Sequence, residues 1–561
     1  MNRFTRLIIC GIILVSLNTC SSPPQSAPPN IHELTVERLR NRIETAGIPP
    51  QIIIGEERIH ASQMLPLFYE RRTYLPAWSD NSGPLGRVQD LVKAIREAEY
   101  EGLKPNDYHL TEIEKTLEAI YQEEKIQKTP NPYQLVDLDL LLTDAFLIYG
   151  SHLLAGRVNP ETIDSEWLAN RRGADLAEIL QAALDANRIE SALKDLLPPQ
   201  PGYARLKIAL ATYRKIANDG GWSLIPDGPK IQKDESGERV IALRNRLVIT
   251  GDLDSTIQDT SDLYDAVLEQ AVRRFQTRHG LGVNGVVDPP TLVALNIPVE
   301  ERVQQILLNL ERWRWLPQEL GKRYLLVNIA NFELDVIENE QPLMMMRVVV
   351  GKNYRRTPVF SDKMTYLVLS PYWQVPPGIA VNDILPAVRK APDYLVKKNI
   401  KVFQGWSAEV TEIDPNSIDW SKVTAKQFNY RFRQEPGPEN ALGRVKFMFP
   451  NKFNVYLHDT PARELFQKTE RTFSSGCIRI ERPIELAEYL LRGDPQWTRE
   501  KILAAIDKRF EQTVRLPEPI DVHLLYWTTW VNDNGTIQFR KDIYGRDKTL
   551  LTALYEKPPV L

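Results

Sequence analysis

The sequence predicts a multidomain α+β protein with a helical scaffold, a small three-helix domain, and a mostly-β domain that carries a lid insertion. The chain has 561 residues, which suits three to four domains at about 150 residues per domain. Apolar residues recur at helical spacing in the first third of the chain and alternate with polar residues beyond residue 322. Hydrophobic residues make up 43% and charged residues 25%, which excludes collagen-like, disordered and multispanning membrane proteins.

The charges of the chain nearly cancel. Lys and Arg together number 70 and Asp and Glu 73, which gives a net charge of −3. A protein that binds the nucleic-acid backbone needs a surplus of positive charge to neutralise the phosphates. Nucleic acid is therefore not an expected partner.

The N-terminus has the pattern of a signal peptide. Arg3 and Arg6 precede an apolar run over residues 7–17, and this run is shorter than the roughly 20 residues that cross a bilayer. We therefore assign residues 1–20 to a signal peptide and the Ser- and Pro-rich residues 21–30 to a linker. The protein is expected to be exported to the cell envelope or periplasm.

Cys20 ends the sequence Leu-Asn-Thr-Cys, which resembles the cleavage box of a lipoprotein signal. This resemblance implies that Cys20 is lipidated and anchors the protein to a membrane. Asn and Thr are untypical in such a box, so plain signal cleavage and a retained anchor stay open as alternatives. Beyond Cys20 the chain contains a single cysteine, Cys477, which has no partner there for a disulfide.

The region after the linker, residues 31–217, is expected to form a helical scaffold domain. Leu138, Leu141, Leu142 and Ala145 follow the i, i+3, i+4, i+7 spacing of one helix face. Gly, Pro and Asp residues then cluster over residues 218–233 and indicate a domain boundary.

Residues 238–298 are expected to form a compact unit of three helices. The expected helix faces carry Val240, Leu243 and Leu247, then Val267, Ala271 and Phe275, and a third helix begins with Asp288 as N-cap and Pro289. The stretch AVRRFQTRHGLGVNGVVDPPTLVALN resembles the peptidoglycan-binding-like domain. Its GxGxxG string is typical of a turn here, because it follows a helix, whereas a dinucleotide site needs a preceding strand.

The last third of the chain predicts a mostly-β domain over residues 322–515, followed by a C-terminal segment, 516–561, with a β-strand. Alternation at Phe332, Leu334 and Val336, a turn, and a return over 347–350 predict a hairpin. Further strands are expected over 365–369, 453–457 and 522–531. The intervening residues, about 379–450, are too long for a hairpin connection and are interpreted as a lid insertion.

His458 and Cys477, 19 residues apart, are the candidate catalytic pair. A free thiol with a pKa of about 8.5 is mostly protonated at neutral pH, and a neighbouring imidazole can accept its proton. The turn that includes Gly476 could direct the backbone N–H groups of Gly476 and Cys477 toward an oxyanion. Each residue alone also fits a structural role, as inert packing for the cysteine or a hydrogen-bonded fold residue for the histidine.

The region around this pair resembles the L,D-transpeptidase catalytic domain of the YkuD type. The matching positions are His458 and the run Ser-Ser-Gly-Cys-Ile-Arg over residues 474–479, with further matches at Gly351, Thr357, Pro358 and the SPYWQVP stretch over 370–376. Asp459, Ser475 and Ser370 depart from the commonest family pattern. The order of helical scaffold, peptidoglycan-binding-like domain and catalytic domain with a lid resembles the YcbB-like branch.

The resemblance implies a reaction and its partners. Cys477 would attack a stem tetrapeptide after its third residue, release D-alanine and pass the acyl group to the amine of a second stem, with His458 as base and later acid. It also implies that carbapenems acylate the thiol and that peptidoglycan stem peptides are the partners, with envelope synthases as further candidates. A carboxypeptidase or hydrolase using the same site, or a non-catalytic wall-binding scaffold, stays open.

Four further residues are candidate substrate contacts: Arg479, Tyr456, Ser475 and Trp373. Arg479 lies two residues beyond Cys477, so on an extended chain both side chains point to the same side, but a structural ion pair stays open. Tyr456 and Trp373 could equally pack as core aromatics. The Asp459 side chain could orient the imidazole by analogy with triads, whereas the resemblance implies that a backbone carbonyl does so. His523 is expected to be structural. No metal or other cofactor is expected, because a zinc site needs more ligands than one cysteine and no HExxH pair occurs.

Overall fold

The computed structural model describes residues 30–47, 51–126, 129–256, 261–405 and 411–556. The predicted signal peptide and its lipidation site, Cys20, lie outside the described residues. In the described part, helices dominate up to residue 314 and strands dominate after it. The protein is therefore a multidomain α+β molecule, as the sequence predicts.

The N-terminal region packs helices around one long central helix, α5. Its elements are α1 Ile31–Glu44, β1 Ile53–Ile54, β2 Glu57–Arg58, α2 Met64–Arg71, β3 Ser79–Asp80, β4 Gly83–Pro84, α3 Arg87–Arg96, α4 Leu110–Lys125, α5 Pro132–Ala155, α6 Pro160–Ile163, α7 Leu176–Asp185, α8 Ile189–Lys194 and α9 Pro201–Asn218. Helix α5 is apolar and long enough to cross a membrane, yet almost all of it is buried within the protein. It is the core of the helical scaffold, because a helix that is apolar on all sides needs neighbours on all sides.

A small three-helix unit follows, and a fourth helix links it to the strands. The helices are α10 Glu238–Ile249, α11 Ala266–Arg278, α12 Pro289–Leu295 and the linking helix α13 Val299–Arg314. The predicted N-cap is present, since the side chain of Asp288 accepts a hydrogen bond from the Thr291 N–H at 3.0 Å. Val267 was expected on the buried face of α11 but is 43% exposed, and Leu268 is buried instead.

The C-terminal half is built from strands with a few helices. In chain order these are β5 Arg323–Asn328, β6 Glu333–Glu338, β7 Gln341–Gly351, β8 Phe360–Leu369, β9 Trp373–Gln374, α14 Pro377–Ile379, α15 Leu385–Lys390, α16 Tyr394–Lys397, β10 Ile400–Gln404, β11 Thr411–Ile413, β12 Tyr430–Gln434, β13 Val445–Met448, β14 Leu457–His458, β15 Thr472–Ser474, β16 Ile478–Ile480, α17 Pro483–Leu491, α18 Arg499–Asp507, β17 Gln512–Leu525, β18 Thr529–Val531, β19 Ile537–Phe539 and α19 Arg546–Tyr555.

The main sheet of this half has nine strands in the described part of the chain, in the order β15-β7-β16-β14-β13-β8-β17-β5-β6. Strand β6 also pairs with β7, so the sheet closes on itself into a barrel with β15 attached at one side. One face of the strands fills the interior with aliphatic and aromatic side chains. The other face of the strands points outward, where polar side chains can lie.

The insertion has a different extent from the predicted 379–450. Strands β9 to β12 form a separate four-stranded sheet with its own apolar core, which begins at Trp373 and ends at Gln434. Residues 445–448 form β13 instead, between β14 and β8 in the main sheet. The prediction was wrong at the second boundary because Val445 and Phe447 bury their side chains in the barrel, a long-range pairing that the local sequence does not reveal.

Two other predictions about strands are wrong. The expected strand over 453–457 is mostly a turn, because the side chain of Asn451 binds the main-chain groups of Phe453 and Val455 and leaves only Leu457 and His458 paired. The predicted boundary between residues 515 and 516 falls inside a strand. Strand β17 begins at residue 512 and lies between β8 and β5 at the centre of the sheet.

Candidate active site

The predicted catalytic residues lie where three short strands, β13, β14 and β16, are adjacent. Leu457 pairs with Ile478 in parallel register, and both side chains are buried in the barrel core. The next pair in register is His458 with Arg479, and Lys446 of β13 lies opposite His458 on the other side. Because side chains alternate along strands, these three residues share the outer face.

Continuing the same register backwards brings Tyr456 and Cys477 to that outer face. His458 and Cys477 are then diagonal neighbours across the strand pair, at roughly 7–8 Å between backbones. The rings of Tyr456 and His458 have centroids 5.7 Å apart in an edge-to-face arrangement. The structure therefore brings the predicted pair onto one surface, but it has no hydrogen bond between Sγ and the imidazole in the described part of the chain. We call this outer surface, formed by Lys446, Tyr456, His458, Cys477 and Arg479, the thiol face.

Cys477 is a free thiol that remains partly accessible to solvent. Burial of the sulfur raises the pKa of the thiol, and hydrogen bonds from the main chain and the phenol of Tyr456 oppose that rise. The nearby carbonyl oxygen of Asn454 lies 4.0 Å from Sγ. The resting cysteine is therefore a protonated thiol surrounded by donors that favour the thiolate.

His458 is 4% exposed and is held in one orientation. Its Nδ1 lies 2.5 Å from the main-chain oxygen of Asp459, and because a carbonyl only accepts, Nδ1 must carry the proton. The Nε2 atom is thus unprotonated in the neutral ring. Burial, with the cations Arg479 and Lys446, lowers the pKa of His458 to about 3, although the bond to Asp459 opposes this. The ring is therefore a neutral proton acceptor.

Asp459 orients the imidazole only through its main chain. Its carboxylate accepts hydrogen bonds from the N–H of Arg444 at 2.9 Å and from the guanidinium of Arg463 at 3.3 Å. Of the two alternatives, the backbone carbonyl that the resemblance implies is the one that binds the ring, because both arginines hold the Asp459 carboxylate away from it. Gly443 permits this, since a Cβ there would lie 2.5 Å from Cβ of Asp459.

The turn before Cys477 differs in one respect from the expected oxyanion site. The N–H of Gly476 donates to Oγ of Ser474 at 3.2 Å, so the structure directs it into the turn and not toward a substrate. Ser474 Oγ in turn donates to the carbonyl of Cys477 at 2.5 Å. The expected role of Gly476 as an oxyanion donor is therefore wrong in this conformation, which leaves the N–H of Cys477 as the candidate donor. Gly476 has φ of +111°, which favours glycine.

The turn is supported from behind by residues whose roles the sequence analysis missed. Thr357 Oγ1 donates to the carbonyl of Gly476 at 2.9 Å and accepts from the N–H of Gly351 at 2.9 Å. The phenol of Tyr544 donates to the carbonyl of Gly351 at 2.6 Å. Gly351 and Thr357 were noted as family matches, but Tyr544 gave no local signal because it lies almost two hundred residues away in sequence.

Arg479 and Ser475 have different surroundings. No carboxylate lies within ion-pair distance of Arg479 in the described ranges, and its buried Nε has no hydrogen-bond partner there. A structural ion pair is thus not what holds this guanidinium on the thiol face. Ser475 is exposed, and its Oγ accepts a hydrogen bond from Arg355 at 2.9 Å. Arg355 also binds Asp383 of the insertion at 2.6 Å.

Trp373 and His523 lie away from the thiol face. Trp373 is in β9, pairs with Gln434 and packs against the core of the insertion, so the structure does not bring it to the cysteine. His523 is buried in β17 between Oγ of Ser361 at 2.8 Å and the carbonyl of Leu320 at 2.9 Å. This confirms its predicted structural role.

Lys446 is the residue of the thiol face that the sequence analysis did not select. A lysine in an alternating strand is normally solvated, and the only local signal was its place between buried Val445 and Phe447. The side chain is partly buried, and Nζ lies 4.0 Å from the centroid of the Tyr456 ring. Burial lowers the pKa of Lys446, while Cys477 and Glu511 oppose that shift.

Three family models match successive parts of the chain. Residues 63–210 match the "Scaffold domain", residues 236–295 the "Putative peptidoglycan binding domain" and residues 322–497 the "L,D-transpeptidase catalytic domain". Residues 322–497 are thus similar to an L,D-transpeptidase catalytic domain. The thiol face lies within this transpeptidase domain, and β17 completes its barrel beyond the matched residues.

A curated relative and solved structures are similar to parts of the chain. A protein of Haemophilus influenzae described as "Putative L,D-transpeptidase" is 36% identical over 252 residues, which cover 45% of this chain and 49% of the relative. The chain thus spans about half the length of that relative. Crystal structures of L,D-transpeptidases from Xylanimonas cellulosilytica (16% identity, TM-score 0.18, 54% of this chain and 99% of that chain) and Stackebrandtia nassauensis (13% identity, TM-score 0.20, 56% and 100%) are also similar.

Proposed function

We propose that the protein is a peptidoglycan L,D-transpeptidase that links the third residues of two stem peptides through a thioester on Cys477. The single observation that carries this proposal is the thiol face. There a free thiol, a neutral imidazole with an unprotonated Nε2 and a guanidinium without a carboxylate partner share one surface of the matched transpeptidase domain. Nucleophile, base and anion-binding group are the parts that acyl transfer from a carboxylate-bearing peptide requires.

The reaction consists of two acyl transfers. Sγ of Cys477 attacks the carbonyl of the third stem residue while Nε2 of His458 takes the thiol proton. The amide C–N bond then breaks, and His458 returns the proton to the departing amine of D-alanine. An amine of a second stem attacks the thioester, His458 accepts its proton, the C–S bond breaks, and the sulfur regains a proton. One amide replaces another.

The other parts of the chain fit this substrate. The matched peptidoglycan binding domain supports action at the cell wall, and the N-terminal pattern supports export to the envelope or periplasm, with Cys20 as the lipid attachment site. Arg479, Tyr456 and Ser475 are the residues that we place against the donor stem. Envelope synthases are the partners that we expect for the scaffold.

The test incubates the purified chain with disaccharide tetrapeptide monomers and follows the products by mass spectrometry. We expect cross-linked dimers that have lost one D-alanine, and no product from Cys477→Ser or His458→Gln. His32→Gln, which changes a histidine outside the transpeptidase domain, should retain activity. A carbapenem should add once to the parent and not to Cys477→Ser. Tripeptide monomers without dimers would show that the protein is a hydrolase and not a transferase. Unchanged monomers would support a non-catalytic scaffold.

A further inference from the structure

Lys446 is a cation on the thiol face to which the proposed reaction assigns no role. It lies on β13 in register with His458, while its neighbours Val445 and Phe447 are buried in the barrel core. This alternation fixes the lysine on the same outer surface as Cys477. The residue is therefore positioned by the barrel and not by a flexible loop.

The Lys446 ammonium group lies over an aromatic ring, and in the described residues no carboxylate is within ion-pair distance of it. In the described ranges Lys446 forms no salt bridge, and Nζ instead lies over the Tyr456 ring, 4.0 Å from its centroid. The same tyrosine lies opposite Cys477 when the register of β14 and β16 is continued backwards, and its main chain and phenol oppose the rise in the pKa of the thiol. The side chain of Tyr456 thus lies between the Lys446 ammonium group and the Cys477 thiol. A partly buried cation normally has an anionic partner.

The catalytic step itself forms an anion that can partner the Lys446 ammonium group. When Cys477 loses its proton to His458, a thiolate and an imidazolium form together. The imidazolium is disfavoured, because the ring is 4% exposed and faces the two cations Arg479 and Lys446. His458 is therefore a poor counter-ion for the thiolate during the interval before it returns the proton to the departing amine. The thiolate therefore needs a permanent positive charge.

We propose that Lys446 is a thiolate-stabilising residue of the transpeptidase site, a positioning residue whose ammonium offsets the negative charge on Cys477 once the thiol proton has passed to His458. The inference rests on the proposed function for the role of Cys477 as nucleophile. The lysine neither gives nor takes a proton in this step. The S–H bond breaks, the Nε2–H bond forms, and the ammonium remains protonated throughout.

Other titratable and charged groups around the sulfur come from each neighbouring element. Tyr456 and His458 face it from the segment leading into β14 and from β14 itself, Arg479 from β16, and Glu511 near the start of β17 faces Lys446. Arg479 is the second cation, with Glu464 as its nearest acidic influence. Arg479 lies on β16, two residues beyond Cys477, and β14 separates it from Lys446 on β13, so substituting Lys446 leaves that cation in place.

The test measures the pKa of the Cys477 thiol directly. The full chain is treated with iodoacetamide between pH 6 and 10, and alkylation is read on the peptide that contains Cys477, which separates it from Cys10 and Cys20. Only the thiolate reacts, so a rise of about one pKa unit slows alkylation about tenfold at neutral pH. We expect that slowing for Lys446→Met, and a profile close to the parent for Lys446→Arg.

Lys452→Met is the matched control. Lys452 also lies over an aromatic ring, that of Phe453 at 5.2 Å, but it is exposed and outside the thiol face, so its profile should equal the parent. If Lys446→Met does not fold, as judged by circular dichroism, Lys446→Gln keeps a polar tip and serves instead. Equal profiles for the parent and the neutral variants, or slowing by the arginine variant as well, would overturn the proposal. Alkylation needs no peptidoglycan, so its result is independent of the muropeptide assay.

Discussion

At the scale of single residues, the hydroxyl of Thr357 connects the end of β7 to the turn before Cys477, and this connection holds the cysteine in position. It joins the N–H of Gly351 at the end of β7 to the carbonyl of Gly476 in the catalytic turn, and it is fully buried. Buried backbone groups need partners, so one hydroxyl that satisfies two of them fixes the separation of the two segments.

Replacing Thr357 by valine keeps the shape and removes both hydrogen bonds. We expect the free energy of unfolding of the transpeptidase domain to fall by about 1–3 kcal/mol, because a buried N–H and a buried carbonyl lose their partner. Urea unfolding measures this loss. Thr411→Val, at an exposed strand position in the insertion, is the control and should change stability little. An equally stable Thr357→Val protein would show that water or a shifted turn replaces the hydroxyl.

At the scale of elements, Arg355 connects the insertion to the turn before Cys477. Arg355, in the loop after β7, binds Asp383 of the insertion at 2.6 Å and Oγ of Ser475 at 2.9 Å. Asp383 lies between α14 and α15, which with the insertion sheet share a separate core. A small body with its own core can move as a unit, so this contact is where its position and that of the turn are coupled.

Removing the arginine should loosen the insertion without unfolding it. A partly exposed ion pair contributes about 0.2–1 kcal/mol, so for Arg355→Ala we expect amide hydrogen exchange in residues 377–390 to rise by about 1.4- to fivefold. Exchange followed by mass spectrometry on the full chain measures this. Lys352→Ala removes a cation from the same loop and should leave exchange unchanged. Equal exchange in Arg355→Ala and the parent would mean that apolar packing alone holds the insertion.

The elements also show how far sequence reasoning extends. The helices with regular apolar spacing, the hairpin of β6 and β7, and the cap at Asp288 were predicted, because each depends on residues close together in the chain. The strand expected over 453–457 was wrong because one side chain, that of Asn451, captures the main-chain groups that a strand would pair. A polar side chain that competes with the sheet is invisible in the apolar pattern.

The candidate site also contains residues that local sequence predicts and residues that only long-range contacts bring in. Cys477 and His458 are candidates from sequence because their chemistry is rare and their spacing resembles a family. Lys446 and Tyr544 reach the candidate site only through pairing of distant strands and segments. From sequence, the side chain of Asp459 and a backbone carbonyl were both candidates for orienting the imidazole. The carboxylate of Asp459 binds Arg444 and Arg463, and only the folded chain brings these two arginines close to it.

At the scale of the whole molecule, the scaffold and the transpeptidase domain are directly joined. The main chain of Val359, just before β8, pairs with Glu166 and Leu168 of the scaffold at 2.8 Å each. Arg546 of α19 binds the carboxylate of Asp164 at 2.8 Å and the carbonyl of Thr357 at 3.2 Å. The support of the catalytic turn is thus continuous with the scaffold, and the stability of one region bears on the geometry of the other.

The scaffold has a polar core that makes its stability depend on pH. His109 is 2% exposed and lies between Asp144 of α5 at 2.7 Å and Glu57 of β2 at 3.0 Å. Burial alone would lower the pKa of His109, but the two carboxylates outweigh burial and raise it to about 9. A protonated histidine therefore connects three elements of the scaffold.

The sign of the pH effect follows from the raised pKa. The folded state holds the proton more tightly than the unfolded state, so the stabilisation is complete below the unfolded pKa of about 6.5 and is lost as pH rises through about 9. A shift of this size corresponds to on the order of 3 kcal/mol. For His109→Asn, which suits the positive φ of 59° at this position, we expect the stability deficit relative to the parent to shrink between pH 6 and pH 10.

Calorimetric unfolding of the parent and the variant across this range measures the deficit at each pH. Glu57→Gln removes one carboxylate and keeps the histidine, so its loss of stability with rising pH should begin at a lower pH than in the parent. Because the free energy of unfolding of each variant is compared with that of the parent at the same pH, the titration of groups that the proteins share cancels. A deficit that stays constant from pH 6 to pH 10 would mean that His109 is neutral in the folded chain, and the scaffold would then hold its two carboxylates by hydrogen bonds alone.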